Sequence, residues 1–535
     1  MPEAAETVQT QSDQTPTLIA RRHDLDALRG IAMLLGIVLH GALSFIPLSR
    51  YFWPVEDSRA NEFFGLLLYG IHGFRMPVFF LVSGFFTTML WRKRGLSALL
   101  KHRFQRIFLP LLIGMLTIIP LVGWISEHVK PQATQGTITE TPADIIHAAA
   151  IGDHESIARF AEEGVDLDRP NADGNSALHT AVFFGHAECV KALLDAGADT
   201  NVLDKDGRRP VENLFLPWEL THYVASLVPG LEVDKDEWAA GQKRIAELMS
   251  APVPTPQADG PVSKNVNKES KAANGFANWF AQQPLLGHLW FLWFLCLLVV
   301  AFAVMALIVS SLGITQIPAT LTVPGWRFLW LIPLTAIPQF YMLDTQNLFG
   351  PSTSLTIIPR LATLLYYSSF FFFGACYFDA TDDEGRLGKY WWLLLPMSLL
   401  MLFPVGLGAM SDPNGKAVAA VAQSAYAWCL SIGMIGGFRR WLASENKVLR
   451  YLSDSSYWLY LAHIPLIIYV QFLVRDWPAA AGLKFLIVCT LTSAVLLISY
   501  QLFVRYTPIG TLLNGPRKRH QRDKDCVATV TSDQS

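Results

Sequence analysis

The sequence predicts an all-α fold, a polytopic membrane bundle of about ten transmembrane helices with a helical repeat module inserted into it. Three observations predict this. Hydrophobic residues make up 52% of the 535-residue chain and charged residues 16%, against roughly 25% charge in soluble domains. The apolar residues gather in runs near the length that crosses a bilayer, about 20 residues. Between two of these runs lies a long polar stretch that repeats itself.

The first span occupies residues 30–49, between Arg29 and Arg50, and His40 is its only ionisable group. Further spans follow at Phe74–Trp91, Ile107–Ser126, Leu289–Leu312, Phe328–Leu343, Leu361–Phe378, Tyr390–Met410, Ala417–Phe438, Ser456–Val474 and Phe485–Val504. The charge pattern orients them, because short cytoplasmic loops collect Lys and Arg. With the N-terminus inside, the inner loops hold Arg92, Lys93, Arg94, Lys101, Arg103 and Arg106, then Arg386 and Lys389, then Arg439, Arg440, Lys447 and Arg450. The tail adds Arg505, the Arg517-Lys518-Arg519 run, Arg522 and Lys524, whereas the short outer loops hold few basic residues, among them Arg50, Arg59, Lys416, Arg475 and Lys484. The expectation is a multi-pass protein of the cytoplasmic membrane with both termini inside. Residues 1–24 form a polar cytoplasmic segment without signal-peptide character. Residues 25–126 carry helices 1–3, 285–508 carry helices 4–10, and 509–535 form a cytoplasmic tail.

The polar insertion runs between helices 3 and 4. A shift of 33 residues pairs Ile145 with Leu178, Ala148 with Ala181, Gly152 with Gly185, Gly164 with Gly197, and Asp173-Gly174 with Asp206-Gly207. A period of this length ending in an Asp-Gly turn resembles the ankyrin repeat, and Ser176-Ala-Leu-His-Thr-Ala181 resembles its helix-opening motif. Arg209–Leu214 opens a third, degenerate copy, Asp234–Met249 reads as a capping helix, and 251–284 is a linker, Pro- and Lys-containing over Ala251–Asn274. The module is expected over 140–250, on the outer side, as a docking site for a protein partner; the competing reading is a spacer.

The net charge of −2 says nothing about nucleic acid. The short basic run Arg517-Lys518-Arg519 follows a hydrophobic span and reads as a cytoplasmic anchor, so no nucleic-acid partner is expected. The six cysteines have no CxxC spacing and read as small buried hydrophobes, not as a metal site or disulfide frame. Zinc spacings, P-loops, GxSxG elbows and dinucleotide fingerprints are all missing from the sequence. The candidate chemistry lies elsewhere. Eleven residues of helix turn through about 1100° and rise about 16 Å, so Arg29 and His40 share a face, one at the inner edge and one near mid-membrane. An ionisable group at that depth faces a cavity or a partner; the plain alternative is a neutral histidine satisfied inside the bundle. Arg103 and Arg106, at i and i+3, share a face that suits a phosphate, although inside-positive anchoring explains loop charge as well. Asp26, His72, Arg75, His288, Arg360 and His463 stand near other span ends as possible site groups.

Residues Asp26–His40, with Arg, ten residues, then His, resemble the opening signature of the acyltransferase-3 family. Arg103-Phe-Gln-Arg106 resembles that family's second motif. Phe74–Phe86 and the Gly287-His-Leu-Trp-Phe-Leu run are similar to its glucan-modifying, glucan-succinyltransferase-like branch, and Ser455–Pro465 resembles its late-span signature. The resemblance covers about 25–125 and 285–515. It implies a membrane O-acyltransferase moving an acyl group of acetyl or succinyl type from a cytoplasmic acyl-CoA to a hydroxyl of an extracytoplasmic glycan in the cell envelope. By the same resemblance His40 is the catalytic base or a transient acyl carrier, Arg29 joins it in catalysis, and Arg103 and Arg106 bind the donor. Asp26, Arg75, His288 and His463 are possible site residues. No metal and no cofactor beyond the acyl-CoA substrate are implied. The insertion departs from the family pattern and leaves the acceptor open. The rival reading is a transporter or flippase with His40 as a proton relay; a third is an inactive membrane receptor.

Overall fold

The computed structural model describes residues 22–47, 53–129, 144–171, 174–204, 207–216, 233–250, 285–314, 316–343, 348–410 and 414–515, with a few single positions between them. Residues 1–21 of the polar N-terminal segment, the 251–284 linker, the Arg517–Arg519 run and most of the tail lie outside the described residues. Every regular element among those described is helical. They fall into two compact units, one of Met1–Pro47, Glu56–Ser126 and Ala277–Ser535, the other of Leu48–Val55 and Glu127–Phe276.

The first unit is built of apolar helices. Helix α1 spans His23–Ala42 and tightens into a 3₁₀ turn at Leu43–Phe45. It ends there because Ile46, extended at φ −87° and ψ 134°, precedes Pro47, and the residue before proline disfavours the helical region. The expected span at 30–49 is therefore displaced towards the N-terminus. His40 sits in the last turn of α1 rather than at mid-span, a correction to the sequence expectation.

Helix α2 (Glu62–Arg103) passes through one π-helical turn, Phe104–Phe108, into α3 (Leu109–Val129). Two expected spans thus form one 68-residue helical stretch, Glu62–Val129. The presumed loop carrying Arg92 to Arg106 is helical, with its break confined to Gly95 at φ 78°. Leu-rich and basic residues after Gly95 are good helix formers, so positive charge marked a helix rather than a loop.

Eight helices among the described residues are long and apolar enough to cross a membrane: His23–Phe45, Glu62–Val129, Gly287–Ser311, Leu361–Asp379, Trp391–Met410, Lys416–Leu442, Lys447–Val474 and Ala481–Val504. The expected fifth span forms a shorter helix, Phe328–Met342, of 15 residues. On the helix Trp290–Ser311, Val300, Val304, Leu307 and Ile308 are exposed on one face, at helical spacing. Such an apolar face has no place in water and fits a bilayer. Lys484, assigned from sequence to an outer loop, lies inside the helix Ala481–Ser499, fully buried, and donates to both carboxylate oxygens of Asp57 at 2.8 and 2.9 Å.

The core is aromatic. Phe80 packs against Tyr367 at 4.7 Å and Phe291 at 5.0 Å, and Phe370 stacks on Trp428 at 3.9 Å. Such rings bury large areas with few rotamers to freeze.

The second unit holds paired short helices: α4 (Ile145–Ile151) with α5 (His154–Glu162), and α6 (Ala177–Phe184) with α7 (Ala187–Asp195). A 3₁₀ turn, Pro210–Phe215, stands where a third pair would start, and α8 (Lys235–Leu248) follows, capped by Asp234. The sequence period is a backbone period. Gly152 and Gly185 end α4 and α6 at φ 81° and 77°, left-handed values that favour glycine. Ile145, Ala148, Leu178, Ala181, Val190 and Leu193 bury one continuous core across the repeats, as stacked repeats must.

Candidate active site

The site is built on two helices, α1 and the helix Lys447–Val474, here called α9. Arg29 Nη2 donates to Ser453 Oγ at 2.9 Å, and eleven residues later His40 Nδ1 lies 3.0 Å from His463 Nε2. The contacts advance together along both chains, so the two helices run parallel. Gly30 permits the approach: a Cβ there would stand 3.1 Å from the backbone nitrogen of Ser453.

At the His40 end the hydrogen bonds fix the tautomers. His463 Nδ1 is 2.8 Å from the carbonyl oxygen of Tyr460. A carbonyl only accepts, so Nδ1 carries the proton and, in a neutral ring, Nε2 accepts. His40 Nδ1 is 2.8 Å from the carbonyl of Gly36, which likewise requires an N–H. That N–H is shared between Gly36 and His463 Nε2. The lone pair of His40 is then on Nε2, the arrangement of a general base whose other nitrogen is held by its neighbours. Gln471 Nε2 donates to the carbonyls of His40 and Gly41 at 3.0 and 3.1 Å, holding the end of α1.

His288 completes the cluster. Its ring lies 5.7 Å from that of His463, its Nε2 donates to the Leu461 carbonyl at 3.2 Å, and Tyr460 Oη donates to the His288 carbonyl at 2.7 Å. Arg75 joins from α2, its guanidinium occupying the space that a Cβ on Gly36 would fill. Among the described residues no group of three or more His, Cys, Asp or Glu is placed to hold a metal ion.

The Arg29 end is cationic. Arg103 donates to Thr87 Oγ1 at 2.8 Å and lies within Coulomb range of Arg29 and Arg106. The Nε atoms of Arg29 and Arg103 are buried without a hydrogen-bond partner. The carboxylate nearby is Asp26, 3.6 Å from Arg29 in the first turns of α1. Tyr457 Oη donates to the Arg106 carbonyl at 2.7 Å, fixing the turn that presents this side chain.

The fold therefore gathers His40, His463, His288 and Arg75 at one end of α1 and Arg29, Asp26, Arg103 and Arg106 at the other. Two of the residues singled out in the sequence fall outside both groups. His72 is buried and bonds the Pro351 carbonyl at 3.0 Å, a structural use, and Arg360 is an exposed N-cap residue making no side-chain cap bond. Ser453, Gln471, Thr87, Tyr457 and Tyr460 were not singled out. The available signal was a polar side chain inside an apolar span, and Gln471 carries it; Ser453 precedes the expected Ser456–Val474 span and carries no such signal.

The acyltransferase domain profile matches residues 22–145 and 226–503, and a profile of ankyrin repeats in three copies matches 121–204. Glucans biosynthesis protein C of Escherichia coli strain K12 is 37% identical over 127 residues, 24% of this chain and 31% of that protein. The same protein of Escherichia coli O157:H7 matches with the same identity and coverage. The alignment thus spans about a third of the curated relatives' length. No solved structure matches. With the domain profile covering well over half of its length, on a scaffold of apolar helices, this chain belongs to the acyltransferase-3 family of membrane acyltransferases and carries an ankyrin-repeat insertion.

Proposed function

We propose that the protein transfers an acyl group of acetyl or succinyl type from a cytoplasmic acyl-CoA to a hydroxyl of an extracytoplasmic glycan, with His40 as general base. The observation that carries this is the hydrogen-bonded pair of histidines. His463 and the Gly36 carbonyl together hold His40 by Nδ1, which leaves Nε2 the basic nitrogen. A hydroxyl presented to Nε2 loses its proton as its oxygen attacks the thioester carbon. The thiolate leaves and takes the proton back, so ester and thiol form without net charge change.

Arg29, Arg103 and Arg106 suit the donor's phosphates, since arginine clusters recognise phosphate by paired, charged hydrogen bonds. Their distance from His40, about 16 Å along α1, suits the length of an extended pantetheine arm. Asp26 then tempers and orients Arg29, and His288 packs beside His463. The relatives are named for glucans biosynthesis, so a glucan hydroxyl is the acceptor to try first. On the charge pattern the protein is an inner-membrane protein with both termini in the cytoplasm. The ankyrin-repeat insertion then lies outside, where it docks a protein partner.

The test is mass spectrometry of envelope glycans from a deletion strain complemented with wild type or His40→Ala. Acylation returns with the wild type only. Acylation unchanged by the deletion sinks the proposal. His40→Ala that blocks glycan export yet leaves esterification intact favours a transporter with His40 as proton relay.

A further inference from the structure

Arg75 is the cation that the proposed chemistry leaves unused. It is the second residue of an apolar run, Phe74–Phe86, and among the described residues it forms no ion pair. Its Nε is buried without a hydrogen-bond partner. An unpaired buried cation is costly, and a protein that keeps one holds it for an anion that arrives later. Its position says which anion. The guanidinium lies over Gly36, so close that a methyl group there would overlap it. Gly36 is one turn below His40 on the same face and supplies the carbonyl that holds His40 Nδ1. Residues four apart on a helix are neighbours, with Cβ atoms about 6 Å apart. The charge of Arg75 is also within Coulomb range of His40 and His463. The described surroundings of the cluster supply Tyr367 and Tyr460 but no carboxylate.

We propose that Arg75 donates hydrogen bonds to the carbonyl oxygen of the acyl group as that oxygen becomes an oxyanion. The inference rests on the acyl-transfer reading and assigns the electrophilic half of the same site. As the acceptor oxygen, deprotonated by His40, bonds to the thioester carbon, the carbonyl π pair moves to oxygen and faces the guanidinium. When the pair returns, the carbon–sulfur bond breaks, the thiolate takes the proton from His40, and Arg75 is again without an anion. Preorganised donors of this kind, set in a site that excludes water, are worth about 10²–10³ in rate each. Glycine at position 36 follows from the same geometry: any side chain would displace the guanidinium.

The experiment uses the purified full-length protein in lipid nanodiscs, with acetyl-CoA and succinyl-CoA as donors and a glucan oligosaccharide as acceptor. Arg75→Gln is expected to lower kcat by about 10²-fold or more for both donors, with KM for the donor nearly unchanged. Arg75→Lys keeps the charge and retains part of the rate. Gly36→Ala removes no charged group, only the space for the guanidinium, and is expected to fall between them; it keeps the question open to test if Arg75→Gln fails to fold. Wild-type kcat in Arg75→Gln overturns the inference alone. A loss confined to succinyl-CoA and seen in KM also overturns it, because Arg75 would then be reading a carboxylate on the acyl chain. Wild-type protein that transfers neither acyl group, to glucan or to water, overturns the acyl-transfer reading itself.

Discussion

The two units of the molecule use buried histidine and arginine in opposite ways. In the repeat unit, His179 is fully buried, its Nδ1 accepts from the Ser176 backbone N–H at 3.2 Å, and its Nε2 donates to the Arg208 carbonyl at 3.0 Å. His186 likewise reaches the Ala150 carbonyl at 3.0 Å. These rings serve as rigid links between backbone segments. In the membrane unit the histidines also touch backbone carbonyls, at Tyr460, Gly36 and Leu461, but His463 Nε2 is turned to another ring, His40 Nδ1, at 3.0 Å. The arginines differ in the same sense. Arg208 pairs with Asp204 at 2.9 Å and Arg209 with Glu212 at 3.3 Å, whereas Arg75, Arg103 and Arg106 form no ion pair among the described residues. Histidine consumed by backbone stabilises a fold. On the proposed function, histidine linked to histidine, with arginines that form no ion pair nearby, serves an incoming anion and a proton.

Exchanging the roles breaks the comparison if it is wrong. After His40 and Arg75, removing a charge from the arginine end has the largest effect. Arg103→Gln should weaken acyl-CoA binding roughly 10- to 100-fold, the size of about 1.5–3 kcal/mol for a charged hydrogen bond, with kcat at saturating donor much less affected. Titration calorimetry with coenzyme A reads it. His463→Phe keeps the ring but deletes the acceptor for His40, and should lower kcat about tenfold, as the loss of about 1.4 kcal/mol of orientation would, at unchanged donor affinity.

The repeat unit should answer to structure only. His179→Ala should destabilise it by about 2 kcal/mol, seen as faster hydrogen exchange over residues 176–195, while donor affinity and kcat stay at wild-type values. The smallest effect is a pH dependence in the same segment. Burial lowers the pKa of His186 below its usual value of 6.5, so the unfolded state binds the proton first as pH falls. The stability it contributes is present above about pH 6.5 and is lost progressively below it. Exchange of α4 to α7 in the full chain should accelerate between pH 7 and 5, and His186→Gln should flatten that slope.

Much of this architecture was legible in the sequence, for reasons that differ by region. The repeat period showed because left-handed turns admit little but glycine, so Gly152 and Gly185 kept their spacing. Arg29 and His40 showed because the helical repeat alone puts them on one face. Span edges were less legible: hydropathy starts the first span after Arg29, whereas α1 begins at His23 and includes the polar turns. Arg92 to Arg106 looked like a loop because charge does, yet nothing there except Gly95 breaks a helix. The partners of His40 could not be read at all. Pairing it with His463, and Arg29 with Ser453, needs the parallel register of α1 and α9, which is set by small residues such as Gly30 packing across the interface.

Single-turnover acyl transfer by the purified full-length protein tests the central claim most directly. The protein is charged with radiolabelled acetyl-CoA in nanodiscs and mixed with glucan oligosaccharide, with wild type and His40→Ala compared at equal donor occupancy. A general base contributes about 10²–10⁴ in rate. His40→Ala is expected to bind donor as wild type does, unfold at the same temperature, and transfer slower by that factor. Transfer by His40→Ala at the wild-type rate, with donor bound, would contradict the account.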